Sequence, residues 1–195
     1  WTKALMDLID HPVVGHTELL AARFDEHVRH VMMLAGPRLR VSLVTTHIPL
    51  AQVAADATRA RILQVIHTTA LELERSFGIK SPRLAVCGIN PHAGERGHMG
   101  LEDEEVTKVA IADAKAEGID AHGPFPADGL FPKFAKGTPF DAVVAMYHDQ
   151  GLVPLKTIHS GEAVNITLGI PIVRTSVDHG SAYDIAGQGV AREAS

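Results

Sequence analysis

Three histidines share one position in the predicted secondary structure, because each follows an apolar segment that is typical of a β-strand. They are His47 after residues 41–46, His92 after residues 85–89 and His148 after residues 141–147. Ligands of open α/β sheets bind outside the carboxyl ends of the strands, so these imidazoles can converge although they are distant in sequence. Three converging imidazoles are typical of a divalent metal site with an open coordination position.

The alternative for any single histidine is an ordinary surface or hydrogen-bonded side chain, since the chain contains 12 of them. The shared placement of the three is what favours a common site. Six histidines lack this placement and are expected to carry no chemistry: His11, His27, His30, His67, His122 and His159.

A glycine-rich segment at residues 90–100 surrounds His92 and contains Gly94, Gly97 and Gly100. Glycines between a strand and a helix let backbone amides approach an anion, although a merely flexible loop has the same composition. No Gly-x-Gly-x-x-Gly motif follows a predicted strand, so the sequence does not support a Rossmann-type cofactor site.

Strand-like and helix-like patterns alternate, which predicts an α/β domain with a largely parallel sheet. The predicted strands are residues 31–34, 40–46, 83–89, 140–147, 164–168 and 172–177, and the predicted helices are residues 1–9, 17–30, 58–77 and 101–117. The last helix opens with four acids at residues 102–105. Negative charge is favoured at a helix N-terminus, so we expect these acids to cap the helix rather than act in catalysis.

The composition excludes several classes of protein. The chain has 195 residues, 46% hydrophobic and 21% charged, with a formal net charge of −5 and scattered Lys and Arg residues. This pattern argues against binding of nucleic acid. The apolar runs are far shorter than the roughly 20 residues of a membrane-spanning helix. The single cysteine, Cys87, lies in an apolar run and is expected to pack in the core, as is usual in the reducing cytoplasm.

Several motifs occur together in a fixed order. They are Gly15-His16-Thr17-Glu18, Thr45-Thr46-His47, Asn90-Pro91-His92-Ala93-Gly94-Glu95, Pro126-Ala127-Asp128, Met146-Tyr147-His148-Asp149-Gln150-Gly151, Asn165-Ile166-Thr167-Leu168-Gly169 and Arg174-Thr175-Ser176-Val177-Asp178-His179-Gly180. In these motifs the sequence resembles the 4-hydroxythreonine-4-phosphate dehydrogenase family of pyridoxal phosphate biosynthesis, and the resemblance runs along essentially the whole chain.

The resemblance implies a fold and a domain organisation. Members of the family are longer two-domain α/β/α proteins, similar to isopropylmalate and isocitrate dehydrogenases. Residues 1–195 are then expected to form the metal- and substrate-binding domain of a longer chain. The resemblance also implies a homodimer with the metal site at the subunit interface. The implied reaction is the NAD-linked, metal-dependent oxidation and decarboxylation of 4-phosphohydroxy-L-threonine to 3-amino-2-oxopropyl phosphate.

Carried over position by position, the resemblance assigns a role to 14 residues. The implied metal ligands are His47, His92 and His148, and the implied catalytic residues are Asp128 and Asp149. The implied substrate-binding residues are His16, Thr17, Lys156, Asn165 and Arg174. The implied cofactor-binding residues are His179, Gly180, Ala182 and Asp184. The cofactor is NAD or NADP, and the metal is zinc, cobalt, manganese or magnesium.

Other functions stay open at this point. The segment at residues 157–161 departs from the family pattern. A sister dehydrogenase, acting on phosphorylated threonate or erythronate or on a cis-dihydrodiol carboxylate, would share the same motifs. A non-catalytic metal- or ligand-binding module is a second possibility. A metal-dependent hydrolase is a third, although it leaves residues 179–187 unexplained.

Overall fold

The computed structural model describes residues 30–159, 161–177 and 182–190, and seven strands in this part of the chain form one sheet. The strands are β1 (Val31–Ala35), β2 (Arg40–Leu43), β3 (Arg83–Cys87), β4 (Asp120–Phe125), β5 (Ala142–Ala145), β6 (Val164–Leu168) and β7 (Arg174–Ser176). Their order is β4-β3-β5-β2-β1-β6-β7. Only β1 and β7 run against the other five. The predicted, largely parallel sheet is therefore confirmed.

Helices cover both faces of the sheet. They are α1 (Val53–Asp56), α2 (Arg59–Arg75), α3 (Lys108–Ala116), α4 (Ala127–Lys136) and α5 (His148–Ile158). Successive side chains of a strand point to opposite faces, so Leu84 packs with α2 and α3 while Ala85 packs with α4 and α5. Two apolar cores result, one on each face. This arrangement confirms the expected α/β/α architecture.

Helix α2 begins and ends close to its predicted limits of 58 and 77. Thr58 is its N-cap, and the hydroxyl of Thr58 accepts a hydrogen bond from the backbone N–H of Arg61 at 3.2 Å. One side of the helix is fully buried against the sheet: Ile62, Val65, Ile66, Thr69 and Leu73. The apolar spacing alone was sufficient to predict this helix.

Helix α1 and three other elements have no counterpart among the predicted ones, and those three contain residues that normally interrupt secondary structure. Strand β4 includes Gly123 and Pro124, and it lies at the edge of the sheet, where a proline is tolerated. Helix α4 contains Pro132, and α5 contains Gly151 and Pro154. Proline in a helix interior removes a backbone donor, so the local pattern opposes a helix that tertiary packing nevertheless stabilises.

The predicted helix at residues 1–9, and the one at 17–30 apart from His30, lie outside the described residues. Every described helix is too short or too polar to span a lipid bilayer. Cys87 is a free thiol with no exposed surface, as expected of a packing residue. Burial raises the pKa of this thiol far above its ordinary value, and the negative charge of Asp103 raises it further.

Candidate metal and substrate site

The loops after β2 and β5 leave the sheet side by side. Backbone pairing continues beyond both strands, because the N–H of Val44 donates to the carbonyl of Ala145 at 2.9 Å and that of Thr45 to Met146 at 3.1 Å. The hydroxyl of Thr45 donates to the same Met146 carbonyl at 2.7 Å. These bonds hold the beginning of one loop against the beginning of the other.

His47 and His148 are consequently neighbours, and we call them the imidazole pair. Their ring centroids lie 5.5 Å apart with an angle of 45° between the ring planes. Nδ1 of His148 lies 2.7 Å from Oδ1 of Asp149. An ionised carboxylate only accepts hydrogen bonds, so Nδ1 carries the proton of the neutral ring. The lone pair of Nε2 is then available to a cation.

Two neighbouring cavities share Tyr147 and Asp149 in their walls. The first, of about 390 Å³, is lined by the imidazole pair. The second, of about 640 Å³, is lined by His92 and Asp128. Both carboxylates that the resemblance implies to be catalytic therefore lie beside histidines that it implies to be metal ligands.

The structure brings together two of the three predicted metal ligands and places the third in the adjoining cavity. Among the described residues, no three His, Cys, Asp or Glu side chains lie close enough together to hold a metal ion. The donor chemistry fits a divalent cation, since imidazole and carboxylate are ligands that zinc, cobalt and manganese accept. The imidazole pair alone provides two nitrogen donors, fewer than the three or four protein ligands that zinc sites usually have.

The backbone around His92 forms a left-handed turn. His92, Ala93, Gly94, Glu95 and Arg96 all have positive φ, between 41° and 75°. Left-handed backbone costs an L-residue about 1–2 kcal/mol, so four non-glycine residues in this region persist only where the surroundings hold them. Gly97 and Gly100 also have positive φ, which accounts for the glycine-rich composition by backbone conformation.

Two of the four acids predicted at the start of the helix at 101–117, Glu102 and Asp103, also hold the segment that leads into this turn. Asp103 has no exposed surface, and its carboxylate accepts hydrogen bonds from the backbone N–H groups of Ile89 at 2.8 Å and Asn90 at 2.9 Å. Glu102 accepts one from the Asn90 amide at 2.8 Å. The pKa of Glu102 lies below its ordinary value because its own backbone N–H and Asn90 donate to it. Asp103, Glu104 and Glu105 lie in the first turn as predicted, where the helix dipole favours negative charge, but none of the described side chains makes a cap hydrogen bond there.

The helix itself also differs from its prediction. A π-helical turn, Asp103–Thr107, precedes α3, and the α-helix begins only at Lys108. A widened turn of this kind often occurs at functional sites. Here it places Asp103 beneath the His92 turn.

Three predicted substrate-binding residues lie among the described residues. Asn165, on β6, pairs with Leu34, whose side chain belongs to the core beneath α4 and α5. The buried Oδ1 atom of Asn165 has no hydrogen-bond partner. Arg174 donates to the hydroxyl of Thr167 at 2.8 Å, and Lys156 is exposed in the last turn of α5.

Of the predicted cofactor-binding residues, two are described. Ala182 adopts a left-handed conformation immediately before a short 3₁₀ turn, Tyr183–Ile185. Asp184 is exposed within this turn. His179 and Gly180 lie outside the described residues, as do the predicted substrate-binding residues His16 and Thr17.

Comparison with known proteins identifies the family. The family described as pyridoxal phosphate biosynthetic protein PdxA matches the chain over residues 1–195. The chain belongs to the PdxA family.

Individual relatives agree with this assignment. A 4-hydroxythreonine-4-phosphate dehydrogenase of Desulforapulum autotrophicum is 53% identical over 97% of this chain, which covers 55% of that relative. A solved structure of the enzyme of the same name from Klebsiella pneumoniae is 43% identical in sequence and superposes with a TM-score of 0.86. The match covers 98% of this chain and 57% of the Klebsiella chain. The chain thus spans about half the length of these relatives.

A third similar protein carries a different activity in its name. It is a terephthalate 1,2-cis-dihydrodiol dehydrogenase from Burkholderia xenovorans, solved as a crystal structure. It is 30% identical to this chain, covers 91% of it and 56% of its own length, and superposes with a TM-score of 0.75.

Sequence reasoning on this PdxA-family chain missed two side chains that tie the site together. Asp103 was interpreted only as a helix cap. Gln150 accepts a hydrogen bond from the backbone N–H of Met146 and donates one to the carbonyl of Gly88, both at 2.7 Å. Gln150 lies inside a quoted motif, so its position was visible in the sequence. The contact of Gln150 with Gly88 could not be seen in the sequence, because 62 residues separate the two.

Proposed function

We propose that this PdxA-family chain supplies the metal- and substrate-binding domain, residues 1–195, of a longer two-domain NAD-linked dehydrogenase. The proposed reaction is the oxidation and decarboxylation of 4-phosphohydroxy-L-threonine to 3-amino-2-oxopropyl phosphate in pyridoxal 5'-phosphate biosynthesis. The observation that carries the proposal is the imidazole pair at the carboxyl edge of the sheet, with Asp149 beside it and Asp128 in the adjoining cavity.

The proposed metal ligands are the imidazole pair and His92. A bound divalent cation supplies a Lewis acid that stabilises negative charge developing on the substrate. We place this site at the interface of a homodimer, where ligands from two chains can complete it. This placement is supported by the position of His92 in a different cavity from the pair.

The two carboxylates have different surroundings and therefore different proposed roles. Asp149 is engaged by the Nδ1–H of His148, so it orients that ring. Asp128 lines the larger cavity and is our candidate for the base that removes the proton of the substrate hydroxyl. The distinction rests on hydrogen bonding and can be tested residue by residue.

The substrate carries a phosphate and a carboxylate, which require positive charge. Lys156 and Arg174 are the proposed partners of these groups, together with His16 and Thr17. Asn165 supports the same assignment, because its unpartnered Oδ1 can accept a hydrogen bond from an amino or hydroxyl group of the substrate.

The proposed cofactor is NAD or NADP, which accepts the hydride of the oxidised carbon. Its adenosine end is assigned to His179, Gly180, Ala182 and Asp184. Tyr183 and Asp184, in the turn after the left-handed Ala182, are exposed and therefore accessible to such a group. A cytoplasmic location is proposed, where both the cofactor and a free cysteine are maintained.

The deciding measurement is NADH formation by the full-length protein with 4-phosphohydroxy-L-threonine and an added divalent cation. We expect turnover that disappears on chelation and returns with metal. Turnover that survives complete chelation would contradict the proposed metal site. The same assay on residues 1–195 alone reports whether this domain acts without the rest of the chain.

A sister activity on a cis-dihydrodiol carboxylate is the second candidate, and the 30% identity to the dihydrodiol dehydrogenase favours it over an activity on phosphorylated threonate or erythronate. The two candidate substrates differ in charge, since only 4-phosphohydroxy-L-threonine carries a phosphate. Comparing kcat/KM on both separates the candidates, because a phosphate-binding site built on Lys156 favours the phosphorylated acid strongly.

A further inference from the structure

Gln150 links the ends of two strands at the point where their backbone pairing stops. Strands β3 and β5 pair as far as Val86 and Val144, and the N–H of Gly88 then turns away to the carbonyl of Phe125. The Gln150 amide fills the gap that opens, accepting from Met146 on one side and donating to Gly88 on the other. The Gln150 side chain thus connects the two strand ends where backbone hydrogen bonds between them stop.

This link joins the two segments that carry His92 and His148. Met146 lies two residues before His148, and Gly88 lies four residues before His92. The bond to Met146 alone would resemble a local helix-capping contact at the start of α5. The hydrogen bond to Gly88 is not a helix cap, because it joins α5 to the end of a different strand, β3.

Asp103 holds the His92 segment through two further hydrogen bonds. Its two carboxylate oxygens hold the consecutive N–H groups of Ile89 and Asn90, immediately after the residue that Gln150 contacts. Packing here is tight, since a Cβ atom at Gly88 would lie 2.7 Å from the Cα of Ala93 and 3.1 Å from Oδ1 of Asp103. The segment between β3 and the left-handed turn therefore has one defined position.

We propose that Gln150 and Asp103 are positioning residues that fix the His92 segment relative to the His148 segment, and thereby set the affinity and geometry of the metal site. This inference rests on the proposed function, which makes both histidines ligands. In a symmetric dimer the same constraint acts on both sites. Neither residue is proposed to touch metal or substrate.

The test is Co²⁺ binding to the metal-free, full-length protein. Titration measures the affinity, and the visible absorption spectrum of the bound ion reports the coordination geometry. Gln150→Met removes both hydrogen bonds at similar volume, and Asp103→Asn replaces one acceptor by a donor. Loss of a residue that orients metal ligands typically costs about 10- to 100-fold in metal affinity, and we expect this loss for each variant together with a changed spectrum.

Two matched controls make the same chemical changes elsewhere. Gln64→Met alters an amide on α2 that donates to the Thr68 hydroxyl at 3.1 Å, and Glu105→Gln alters an exposed acid on the same turn as Asp103. Both controls should bind Co²⁺ with unchanged affinity and spectrum. A merely structural role for Gln150 and Asp103 would lower the stability of the metal-free protein but leave affinity and spectrum unchanged, and that result would overturn the inference.

Further variants keep the outcomes separable. Gln150→Glu retains the acceptor for Met146 and loses the donor to Gly88, so we expect it to bind Co²⁺ more weakly than wild type even if Asp103→Asn does not fold. Wild-type binding by Gln150→Glu would overturn the proposed bridge. If His148→Ala binds Co²⁺ as tightly as wild type, the proposed metal site itself fails. If only His148→Ala loses binding, the site stands and the positioning inference fails.

Discussion

Asp149 is a carboxylate whose environment limits how strongly it can act on its neighbour. It hydrogen-bonds to the ring of His148, yet 76% of its side chain is exposed to solvent. Water competes for its oxygens and screens its charge, so its influence on the ring should be weaker than that of a buried carboxylate. Asp128 makes no hydrogen bond of this kind to a histidine of the imidazole pair and lines the neighbouring cavity instead.

We predict that Asp149→Asn weakens Co²⁺ binding by about tenfold, near the lower end of the range for residues that orient metal ligands. Asp128→Asn should leave the affinity for Co²⁺ within about twofold of wild type but reduce kcat by about 100-fold, as expected for loss of a base. Metal titration and steady-state kinetics of the full-length protein measure the two quantities. Equal effects of both substitutions on affinity would show that the roles are not divided.

His159 offers a second test at the level of a single residue. Only 2% of it is exposed, and its Nε2 accepts a hydrogen bond from the backbone N–H of Arg38 at 3.2 Å. Burial lowers the pKa of this ring below its ordinary value of 6.5, the positive charge of Arg38 lowers it further, and Glu162 opposes both. The unfolded chain therefore binds the proton more readily than the folded chain does.

It follows that His159 destabilises the fold when pH falls below its ordinary pKa, and contributes no pH dependence well above it. We predict that His159→Gln, which retains an acceptor but cannot ionise, flattens the fall in unfolding free energy between about pH 6.5 and pH 5. Urea denaturation across this range measures the slope. An unchanged slope would mean that other groups dominate the acid response.

At the level of elements, α5 lies close to the sheet because Gly151 has no side chain. A Cβ atom at Gly151 would lie 2.6 Å from Cγ1 of Val41, 3.0 Å from Cδ2 of Leu43 and 3.1 Å from Cβ of Ala145. Contact this close explains why a glycine occurs inside a helix that it disfavours by about 1 kcal/mol relative to alanine. The helix that begins with His148 thereby packs directly on β2, the strand that leads to His47.

We predict that Gly151→Ala destabilises the protein by about 1–3 kcal/mol, because overpacking outweighs the gain in helix propensity. Gly129→Ala is the matched control on α4, where a Cβ atom would meet nothing within 4 Å. It should stabilise the protein by up to about 1 kcal/mol. Denaturation midpoints of both variants measure the difference, and the same sign for both would contradict this account of the packing.

The elements that the sequence predicted well are those whose local pattern agrees with their tertiary surroundings. Helix α2 has a capping threonine and apolar residues at helical spacing, and β6 spans residues 164–168 as predicted. Helices α4 and α5 were missed because Pro132 and Pro154 oppose a helix locally. Their stability comes from the core that they share with the sheet, which no local pattern reveals.

At the level of the whole molecule, sequence order was sufficient to predict that two of the three strand-end histidines are neighbours. Strand-end placement correctly predicted that His47 and His148 would meet, since β2 and β5 are adjacent in the sheet. It could not predict that β5 lies between β2 and β3 in the sheet, nor that a left-handed turn would direct His92 into another cavity. Both facts depend on packing between distant segments, and the chain covers only about half of its relatives' length.

The burial of Cys87 has a practical consequence for experiments on this chain. It is the one cysteine in the sequence, and its thiol is both inaccessible and held protonated. Thiolate and exposure are what alkylating reagents require, so maleimides should leave Cys87 unmodified in the native chain. A single cysteine introduced at an exposed position without a proposed role, such as Lys115→Cys on α3, would then accept a fluorophore or spin label selectively, without first removing the native thiol.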